Sequence, residues 1–431
     1  MTCWPRTKLR NAPGSHAPIR LLYLAQFPPS PPTYGAQRRI QGLMAALGQR
    51  HDITAVSLIT PDLDAGVAER AMRRYCRDVR LVPARPWYGT GKRLLQLRAL
   101  ASTRSFERRL FDLPALRRTL RDLLGTRPFD VVNVEFPFLA HQRLRRAPPG
   151  APFPLRVLDE HNIEFDLARQ QAGGEHGLAR RIHNAANWPK LRREEMAAFR
   201  TFDGVTFCSE ADERRARALV PGLHSEVVPN AVDIDEFRRS PGHPLPDGST
   251  VLFFGALNYF PNVDGLLHLL DDVWPLLAAS HPAARLKIVG QHPPPEILAR
   301  RGPRVEVTGR VDDLRPHLAS AAVTIVPLRI GGGTRFKILE AMAMGRPVVS
   351  TSLGAEGIDA RPGVDLLVAD EPRDFAAAVG RVLDDPGLAD ALGARGRALV
   401  EKGYSWTAAA RRLELFLERL LAARPGSPAG A

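Results

Sequence analysis

The stretch from Ile330 to Ile358, IGGGTRFKILEAMAMGRPVVSTSLGAEGI, constrains the fold of this chain more than any other part of it. It follows an apolar run, Val323–Leu328, that predicts a buried strand, and its three glycines lead into a predicted helix at about Thr334–Met344. A second predicted strand, Pro347–Ser350, comes after the helix. Strand, glycine-rich loop, helix and strand in this order indicate a parallel βαβ unit.

The loop and the start of the predicted helix offer a place for an anion. Glycines let a ligand approach the backbone closely, and a helix N-terminus presents unpaired N–H groups and the positive end of the helix dipole. Arg335 and Lys337 fall in the first predicted turn, where the dipole disfavours cations, so a bound anion would account for them. Glu340 lies three residues after Lys337 on the same helix face. This set suits a ligand with phosphates and sugar hydroxyls, although a glycine-rich loop by itself is more often an ordinary crossover.

The end of this stretch carries a family resemblance. Leu339–Val349, LEAMAMGRPVV, resembles the donor-binding segment of glycosyltransferase family 4, whose members have the GT-B fold, and the resemblance extends along most of the chain. It implies an α/β protein with two doubly wound, Rossmann-like domains facing a central cleft. It also implies transfer of a sugar, with retention at the anomeric carbon, from a nucleoside-diphosphate sugar to a hydroxyl of a glycan or lipid-linked glycan in polysaccharide or cell-envelope biosynthesis. The nucleotide sugar is then a substrate, and no cofactor is expected.

Predicted strands alternate with predicted helices in both halves of the chain, which agrees with two α/β domains. A length of 431 residues suits two domains of about 200 residues each. The helical predictions include one long Arg- and Leu-rich region over Gly91–Leu124 and one helix over Val263–Leu277. Asn230, in VPNAVD, resembles a marker of the domain boundary in the family and is otherwise interpreted as a turn residue. The predicted divisions are a disordered segment 1–18, an acceptor-binding domain 19–225, a nucleotide-sugar-binding domain 226–405, and a C-terminal helix and tail 406–431, whose helix 407–422 is expected to pack on the first domain.

His161 is the candidate catalytic residue. It follows the predicted strand Leu155–Asp159, and ligands in open α/β sheets bind beyond the carboxyl ends of strands. A histidine can donate, accept or orient near neutral pH, but a single loop histidine is more often structural. In similar enzymes a histidine at this strand end lies beside the transferred sugar, and the resemblance therefore implies a catalytic His161.

Three further positions join the expected donor site through the resemblance. Gly35 ends a proline-rich loop where similar enzymes place a loop between the donor diphosphate and the acceptor. Gly255 ends the predicted strand Val251–Phe254, and Val311 lies in a segment similar to the one that lines the base pocket. Either glycine could instead serve only as a turn residue.

The central donor motif departs from the family pattern at its start. Glu340 matches the second of two glutamates that flank seven residues in the family, and this match implies a contact with the ribose hydroxyls. The first glutamate is replaced by Gly332. The donor-site residues predicted from this motif are Gly332, Gly333, Thr334, Arg335, Lys337 and Glu340.

A second departure concerns the cations that usually hold the donor diphosphate. Ala256 stands where the family has an arginine, and Pro261 and Asn262 stand near the position of its lysine. Because phosphates buried without cations are unfavourable, we expect Arg335 and Lys337 to supply the missing charge.

Charge is distributed unevenly along the chain. Residues 1–200 carry 34 Lys and Arg against 17 Asp and Glu, whereas residues 201–431 carry 26 against 29. A basic first half suggests contact with an anionic membrane surface, although solvated helix faces would give the same pattern. Nucleic acid is a poor fit because no groove-reading helix, RNP-like motif or zinc-finger pattern is present.

Other compositional features restrict cofactors and location. The sequence has no Asp-x-Asp motif at a strand end and no His/Cys cluster, so it does not predict a metal site. The three widely spaced cysteines fit a reducing cytoplasm, and no run approaches the roughly 18 apolar residues of a membrane helix. We therefore expect a cytoplasmic enzyme, peripheral at the inner face of the membrane. Two alternatives stay open from the sequence: a nucleotide-sugar epimerase or hydrolase on the same fold, and a non-catalytic sugar-nucleotide-binding subunit.

Overall fold

The computed structural model describes residues 17–84, 90–173, 178–331 and 334–424. The chain divides into two units: unit 1 comprises Met1–Val228 together with Ala409–Ala431, and unit 2 comprises Pro229–Ala408. Residues 1–16 of the segment predicted to be disordered lie outside the described part.

Unit 1 contains a seven-stranded parallel sheet with the strand order β3-β2-β1-β4-β5-β6-β7. Its strands are β1 Arg20–Ala25, β2 Asp52–Ile59, β3 Asp78–Pro83, β4 Val131–Glu135, β5 Leu155–Glu160, β6 Gly204–Phe207 and β7 Ser225–Val227. Its helices are α1 Gly35–Leu47, α2 Ala65–Met72, α3 Thr90–Leu100, α4 Phe106–Phe111, α5 Pro114–Thr126, α6 Glu164–Gly173, α7 Leu178–Thr201 and α8 Glu210–Leu219. Strands β1, β4 and β6 are almost wholly buried, as expected when helices cover both faces of a parallel sheet.

The helical region predicted over Gly91–Leu124 consists of three separate helices in the structure. The Ser105 side chain accepts a hydrogen bond from the Arg108 backbone N–H and so caps the start of α4. Pro114 lies in the first turn of α5, where its missing N–H costs nothing. Leucine and arginine spacing predicted helix correctly, but it did not show these local stops.

Unit 2 contains a six-stranded parallel sheet with the order β10-β9-β8-β11-β12-β13. Its strands are β8 Thr250–Phe254, β9 Arg285–Val289, β10 Val305–Gly309, β11 Val323–Val326, β12 Val348–Ser350 and β13 Leu367–Val368. Its helices are α9 Phe260–His268, α10 Trp274–Ser280, α11 Pro295–Leu298, α12 Arg315–Ser320, α13 Phe336–Ala343, α14 Ser352–Ala355, α15 Pro372–Asp384 and α16 Pro386–Gly403.

The core of unit 2 lies on both faces of this sheet. Val251 and Phe253 of β8 belong to one apolar cluster, whereas Leu252 and Phe254 belong to another. Successive strand residues point to opposite faces, so this alternation shows that β8 is covered on both sides. The two parallel sheets confirm the predicted α/β class with two doubly wound domains.

The helix predicted over Val263–Leu277 is in fact α9 and α10, joined by a π-helical turn at Leu269–Val273. Pro275 follows this turn at the start of α10. Because proline has no backbone N–H, it cannot continue the regular α-helical hydrogen bonding, and the backbone widens just before it.

The last helix, α17 Trp406–Ala422, runs from unit 2 into unit 1. Glu414 of α17 accepts a hydrogen bond from Arg50 Nη1 at 2.8 Å, and its other oxygen lies 3.1 Å from His51 Nε2. A Cβ at Gly204 would lie within 2.8 Å of Leu420 and Phe416 side-chain atoms, so the glycine allows α17 to approach β6. No helix in the described ranges has the length and apolarity that crossing a bilayer requires.

Candidate functional site

The donor motif places two cations at the start of α13. Arg335 is the N-cap residue, with φ −86° and ψ 107°, and the helix begins at Phe336. The prediction that the helix begins at Thr334 and that Arg335 lies in its first turn is therefore wrong, because the extended backbone of Arg335 delays helix formation. Lys337 does lie in the first turn. Gly332 and Gly333 fall outside the described residues.

Lys337 is held by an amide and an aromatic ring. Its Nζ donates a hydrogen bond to Asn262 Oδ1 at 2.8 Å and lies 4.2 Å from the centre of the Phe253 ring. Burial of the ammonium, and then the charge of Arg335, lower the Lys337 pKa to about 7. In the described part of the chain, no carboxylate lies within ion-pair distance of Lys337. The site thus holds a cation without an internal counter-charge.

Gly255 leaves room for this lysine. Its φ of +152° is one that other residues rarely adopt. A Cβ at this position would lie 3.0 Å from Asn262 Nδ2 and 3.2 Å from Lys337 Nζ. Asn262 Nδ2 also donates to the Ala256 carbonyl at 2.8 Å, which turns its Oδ1 toward Lys337. Asn262, supported by the Ala256 carbonyl, therefore holds a lysine that comes from another element, α13.

The backbone of the donor loop is anchored by Asn230. Its side-chain amide donates to the Thr334 carbonyl at 2.9 Å, and Thr334 Oγ1 donates to the Gly357 carbonyl at 3.3 Å. Both Asn230 and Thr334 are buried. Asn230 thus does more than occupy a turn near a domain boundary, because it fixes the residue that precedes Arg335.

Glu340 and Val311 are the remaining predicted donor residues in unit 2. Glu340 is 3% exposed within α13, between the buried residues Leu339 and Ala341. Val311 follows β10 and packs, partly buried, on the apolar cluster that contains Leu339. Their assignments to the ribose and to the base pocket stay predictions.

His161 lies at the carboxyl edge of the sheet in unit 1, next to two carboxyl groups. Its Nε2 is 2.9 Å from Glu135 Oε2 and 3.5 Å from Asp159 Oδ2. Glu135 and Asp159 are register partners on the adjacent strands β4 and β5. Since side chains alternate along a strand, Asp159 and His161, two residues apart, are brought to the side of Glu135. Asn133 Nδ2 donates to Glu135 Oε1 at 2.8 Å and holds that carboxyl group in place.

Arg39 of α1 completes this cluster. Its Nε and Nη2 donate to the two oxygens of Asp159 at 2.8 and 2.7 Å, and its Nη1 donates to the Val228 carbonyl at 2.8 Å. Arg39 is fully buried, and Thr206 Oγ1 donates to Asp159 Oδ1 at 2.6 Å. A bidentate pair of this kind fixes the Asp159 carboxylate rigidly.

The surroundings keep the Arg39–Asp159 pair ionised and favour a neutral His161–Glu135 pair. Burial opposes ionisation of Asp159, but the charge of Arg39 overrides it and lowers the Asp159 pKa to about 2. Burial and the charge of Asp159 raise the pKa of Glu135 well above its usual value. Burial lowers the His161 pKa to about 3. Both shifts favour an uncharged His161–Glu135 pair at neutral pH, in which one hydrogen bond joins the carboxyl group and the imidazole.

An aromatic wall packs against His161. Phe136 has φ +65°, which is unusual for a bulky residue, and its ring stacks on the imidazole with centroids 4.0 Å apart. Phe138 stacks on Phe136 at 5.9 Å, and Phe27 packs edge-on at 6.1 Å. Tyr34 extends the wall by an edge contact with Phe27 at 5.2 Å. The strained turn after β4 therefore restricts the orientation of His161.

The Glu135, Asp159 and His161 ligand atoms lie within 4.8 Å of one another, a spacing that a metal ion could occupy. Asp159 is already saturated by the Arg39 guanidinium, whose charge would repel a divalent cation. The chemistry of this donor set therefore disfavours a metal.

The structure places Gly35 differently from the expected loop. Gly35 is the first residue of α1, after the N-cap Tyr34. A contact between Gly35 and the donor phosphates stays a prediction.

Sequence reasoning missed several residues of these clusters, among them Arg39, Glu135, Phe136 and Asn262. For Glu135 a signal was present, because it directly follows the run Asp130–Val134, which predicts a strand, as His161 follows another, and the carboxyl ends of parallel strands meet at one edge of a sheet. Arg39 looked like an ordinary charged residue of an amphipathic helix. Asn262 appeared only as a departure from the family pattern.

Comparisons with known proteins agree with this architecture. A family profile described as "Glycosyl transferases group 1" matches residues 248–385. The GDP-mannose-dependent alpha-(1-6)-phosphatidylinositol monomannoside mannosyltransferase of Mycobacterium tuberculosis is 30% identical over 309 residues, which cover 62% of this chain and 79% of that protein. A GDP-mannose-dependent monoacylated alpha-(1-6)-phosphatidylinositol monomannoside mannosyltransferase of Corynebacterium glutamicum is 28% identical over 58% of this chain and 71% of its own.

Solved structures show the same fold at lower sequence identity. Sucrose-phosphate synthase from Thermosynechococcus elongatus gives a TM-score of 0.69 at 20% identity, covering 94% of this chain and 100% of that one. HepE from Anabaena, solved in complex with UDP, gives a TM-score of 0.63 at 15% identity, covering 93% of this chain and 100% of that one.

Proposed function

This chain belongs to the group 1 glycosyltransferases, and we propose that it transfers a sugar from a nucleoside-diphosphate sugar to a hydroxyl of a lipid-linked glycan. Retention at the anomeric carbon is part of the proposal and is supported by the resemblance to family 4. Family membership favours this activity over an epimerase, a hydrolase or a non-catalytic subunit.

One observation carries the donor assignment. Lys337 and Arg335 lie together at the start of α13, and Lys337 has only Asn262 and the Phe253 ring as described partners. A half-buried cation without a carboxylate is unfavourable unless an anion joins it. A diphosphate supplies that anion and also suits the N–H groups at the helix start.

The same two cations are proposed to stabilise the leaving nucleoside diphosphate. Charge develops on the phosphate when the glycosidic bond breaks, and prepositioned cations with a helix N-terminus can stabilise it without a metal ion. Activity is then expected to survive treatment with a chelator such as EDTA. Loss of activity that added Mg²⁺ or Mn²⁺ restores would contradict this part of the proposal.

His161 is proposed to act in the chemical step, held by Glu135 and Phe136. An imidazole kept neutral beside a protonated carboxyl group can donate or accept a hydrogen bond and so orient a substrate hydroxyl at the reacting centre. The Arg39–Asp159 pair keeps the second carboxylate ionised and fixed next to it. Because the His161 cluster lies in unit 1, we assign binding of the acceptor to that unit.

The names of the relatives supply the first substrates to test. Two of them are named for GDP-mannose and for phosphatidylinositol mannosides, and HepE was solved with UDP. We propose a lipid-linked acceptor, a cytoplasmic enzyme and a peripheral position at an anionic membrane, which the basic first half of the chain supports.

The test of the donor site compares charged and uncharged ligands. Arg335→Ala/Lys337→Ala should weaken GDP or UDP binding by about a hundredfold or more, because two charged hydrogen-bonding groups are lost, and should leave guanosine or uridine binding nearly unchanged. Lys402→Ala, an exposed lysine on α16, is the matched control. Equal weakening of nucleotide and nucleoside in calorimetry, or no weakening of either, would rule out the assignment.

A further inference from the structure

Helix α3 exposes an unusually apolar face. Leu94, Leu97 and Leu100, which we call the leucine face, are 51%, 64% and 38% exposed. They recur every three residues and therefore lie on one side of the helix. The opposite side of α3 packs against unit 1, since Ala99 is buried and Leu95 packs on the apolar core.

Helix α7 lies beside α3 and adds to this surface. Lys190 Nζ donates to the carbonyls of Ala99 and Leu100 at 2.8 and 3.3 Å, which joins the end of α3 to α7. Near the start of α3, the charge of Lys92 adds to burial in lowering the pKa of His183 on α7. The residue before that histidine, Ile182, is 54% exposed. Helix α7, which packs beside α3, thus also exposes a large apolar side chain.

The outward charge on both helices is positive. Neither α3 nor α7 from Leu178 to Arg193 contains an acidic residue. Arg98 and Arg181 are exposed on the two helices.

Two carboxylates close in sequence to these helices, Glu107 and Glu194, form internal hydrogen bonds. Glu107 Oε2 accepts a hydrogen bond from Asn187 at 2.8 Å, and Glu194 accepts from the Ser105 backbone N–H at 3.1 Å. They are therefore engaged in holding α4 to α7. The surface presented outward by α3 and α7 is both apolar and cationic.

We propose that the leucine face, with Ile182, Arg98 and Arg181, docks this enzyme on an anionic lipid bilayer. The leucines enter the boundary between headgroups and acyl chains, and the arginines contact the phosphates of the headgroups. A second copy of the chain is a poorer occupant, because a two-fold interface would bring the same arginines of both copies together. The inference deepens the proposed function, whose lipid-linked acceptor would be reached from this surface.

The test is co-sedimentation of the purified full-length protein with vesicles. Wild type should bind vesicles of phosphatidylcholine mixed with phosphatidylglycerol, and binding should fall as salt screens the charges over about 8–10 Å. Leu94→Ser/Leu97→Ser should lower the partition coefficient by about tenfold or more, because two large apolar side chains are lost. Leu245→Ser/Leu276→Ser, which changes leucines 72% and 40% exposed in unit 2, should bind like wild type.

A second variant separates the charge contribution. Arg98→Glu/Arg181→Glu should lose about tenfold or more in binding to the anionic vesicles, since each basic residue near such a surface contributes about 1 kcal/mol, or about fivefold. Its weak binding to pure phosphatidylcholine should not change. Circular dichroism of each variant should match that of wild type, because all four positions are exposed.

Three results would overturn the proposal: equal wild-type binding to neutral and anionic vesicles, unchanged binding of the double leucine variant, or a dimer in sedimentation velocity without lipid that this variant abolishes. The assay contains no donor and no acceptor. A negative result would therefore contradict the proposed membrane-binding surface without contradicting the proposed transferase activity. Measurements of GDP and UDP binding test the transferase proposal separately.

Discussion

Lys337 and Asn262 are 75 residues apart in the sequence, yet Lys337 Nζ donates a 2.8 Å hydrogen bond to the Asn262 side chain. This bond supports the proposal that Lys337 supplies positive charge to the donor site in place of the arginine and lysine expected after β8. Asn262, from the segment where the lysine was expected, orients Lys337 of α13. Gly255 leaves the space that the contact requires.

Binding of a nucleoside diphosphate should take up a proton at mildly alkaline pH. With a pKa of about 7, the free Lys337 is mostly neutral at pH 8, and a neighbouring diphosphate favours its charged form. Calorimetry of GDP or UDP binding in buffers with different ionisation enthalpies should therefore show uptake approaching about one proton per site at pH 8. Lys337→Met should abolish the uptake, and an unchanged uptake in this variant would assign the proton to another group.

Gly255→Ala should weaken diphosphate binding more than it weakens the fold. The new methyl group would meet Asn262 and Lys337 at 3.0–3.2 Å, in addition to an unfavourable φ. Gly248→Ala is the matched control, because Gly248 has φ +72° but nothing within 4 Å of an added Cβ. Gly248→Ala should lose about 1–2 kcal/mol and Gly255→Ala about 1–3 kcal/mol in unfolding free energy, whereas only Gly255→Ala should lose GDP or UDP affinity. A similar loss of affinity in both variants would show that backbone strain alone is responsible.

His161 should depend on Glu135 for its role in turnover. His161→Ala should lower turnover by about a hundredfold or more, the low end of what a positioned proton-handling group contributes. Glu135→Ala should also lower kcat, whereas Glu135→Gln should retain part of it, since an amide N–H can still donate to the imidazole. The pH profile of kcat should change in Glu135→Gln and not in Glu226→Gln, a control at a partly exposed residue whose partner is Arg419. Normal kcat in a folded His161→Ala variant would make the histidine structural.

Glu340 should contribute to nucleoside recognition and not to phosphate binding. Two hydrogen bonds from ribose hydroxyls to a carboxylate are worth about 1.5–3 kcal/mol each, so Glu340→Ala should weaken both GDP and guanosine, or both UDP and uridine, by more than tenfold. This pattern differs from that expected for Arg335→Ala/Lys337→Ala. Unchanged nucleoside affinity in calorimetry would remove Glu340 from the ribose site.

The fold class was predictable because its signal is local. Apolar runs such as Val323–Leu328 and the LEAMA helix that follows show their periodicity within a few residues, and that periodicity predicts strand or helix directly. The residues at which helices begin and end were harder to predict. Ser105 and Pro114 divide a continuous Leu- and Arg-rich pattern, and the extended backbone of Arg335 moves the start of α13 to Phe336.

The sequence by itself determined the two α/β domains, the glycine-rich loop before α13 and the presence of His161, Arg335, Lys337 and Glu340, because residue types and short spacings are written in the chain. Only the tertiary structure decided which groups meet. Glu135 reaches His161 through the register of β4 and β5, and Arg39 reaches Asp159 from α1 across 120 positions. Such pairings follow from how strands and helices pack, and the same packing sets the burial that keeps His161 neutral and lowers the pKa of Lys337.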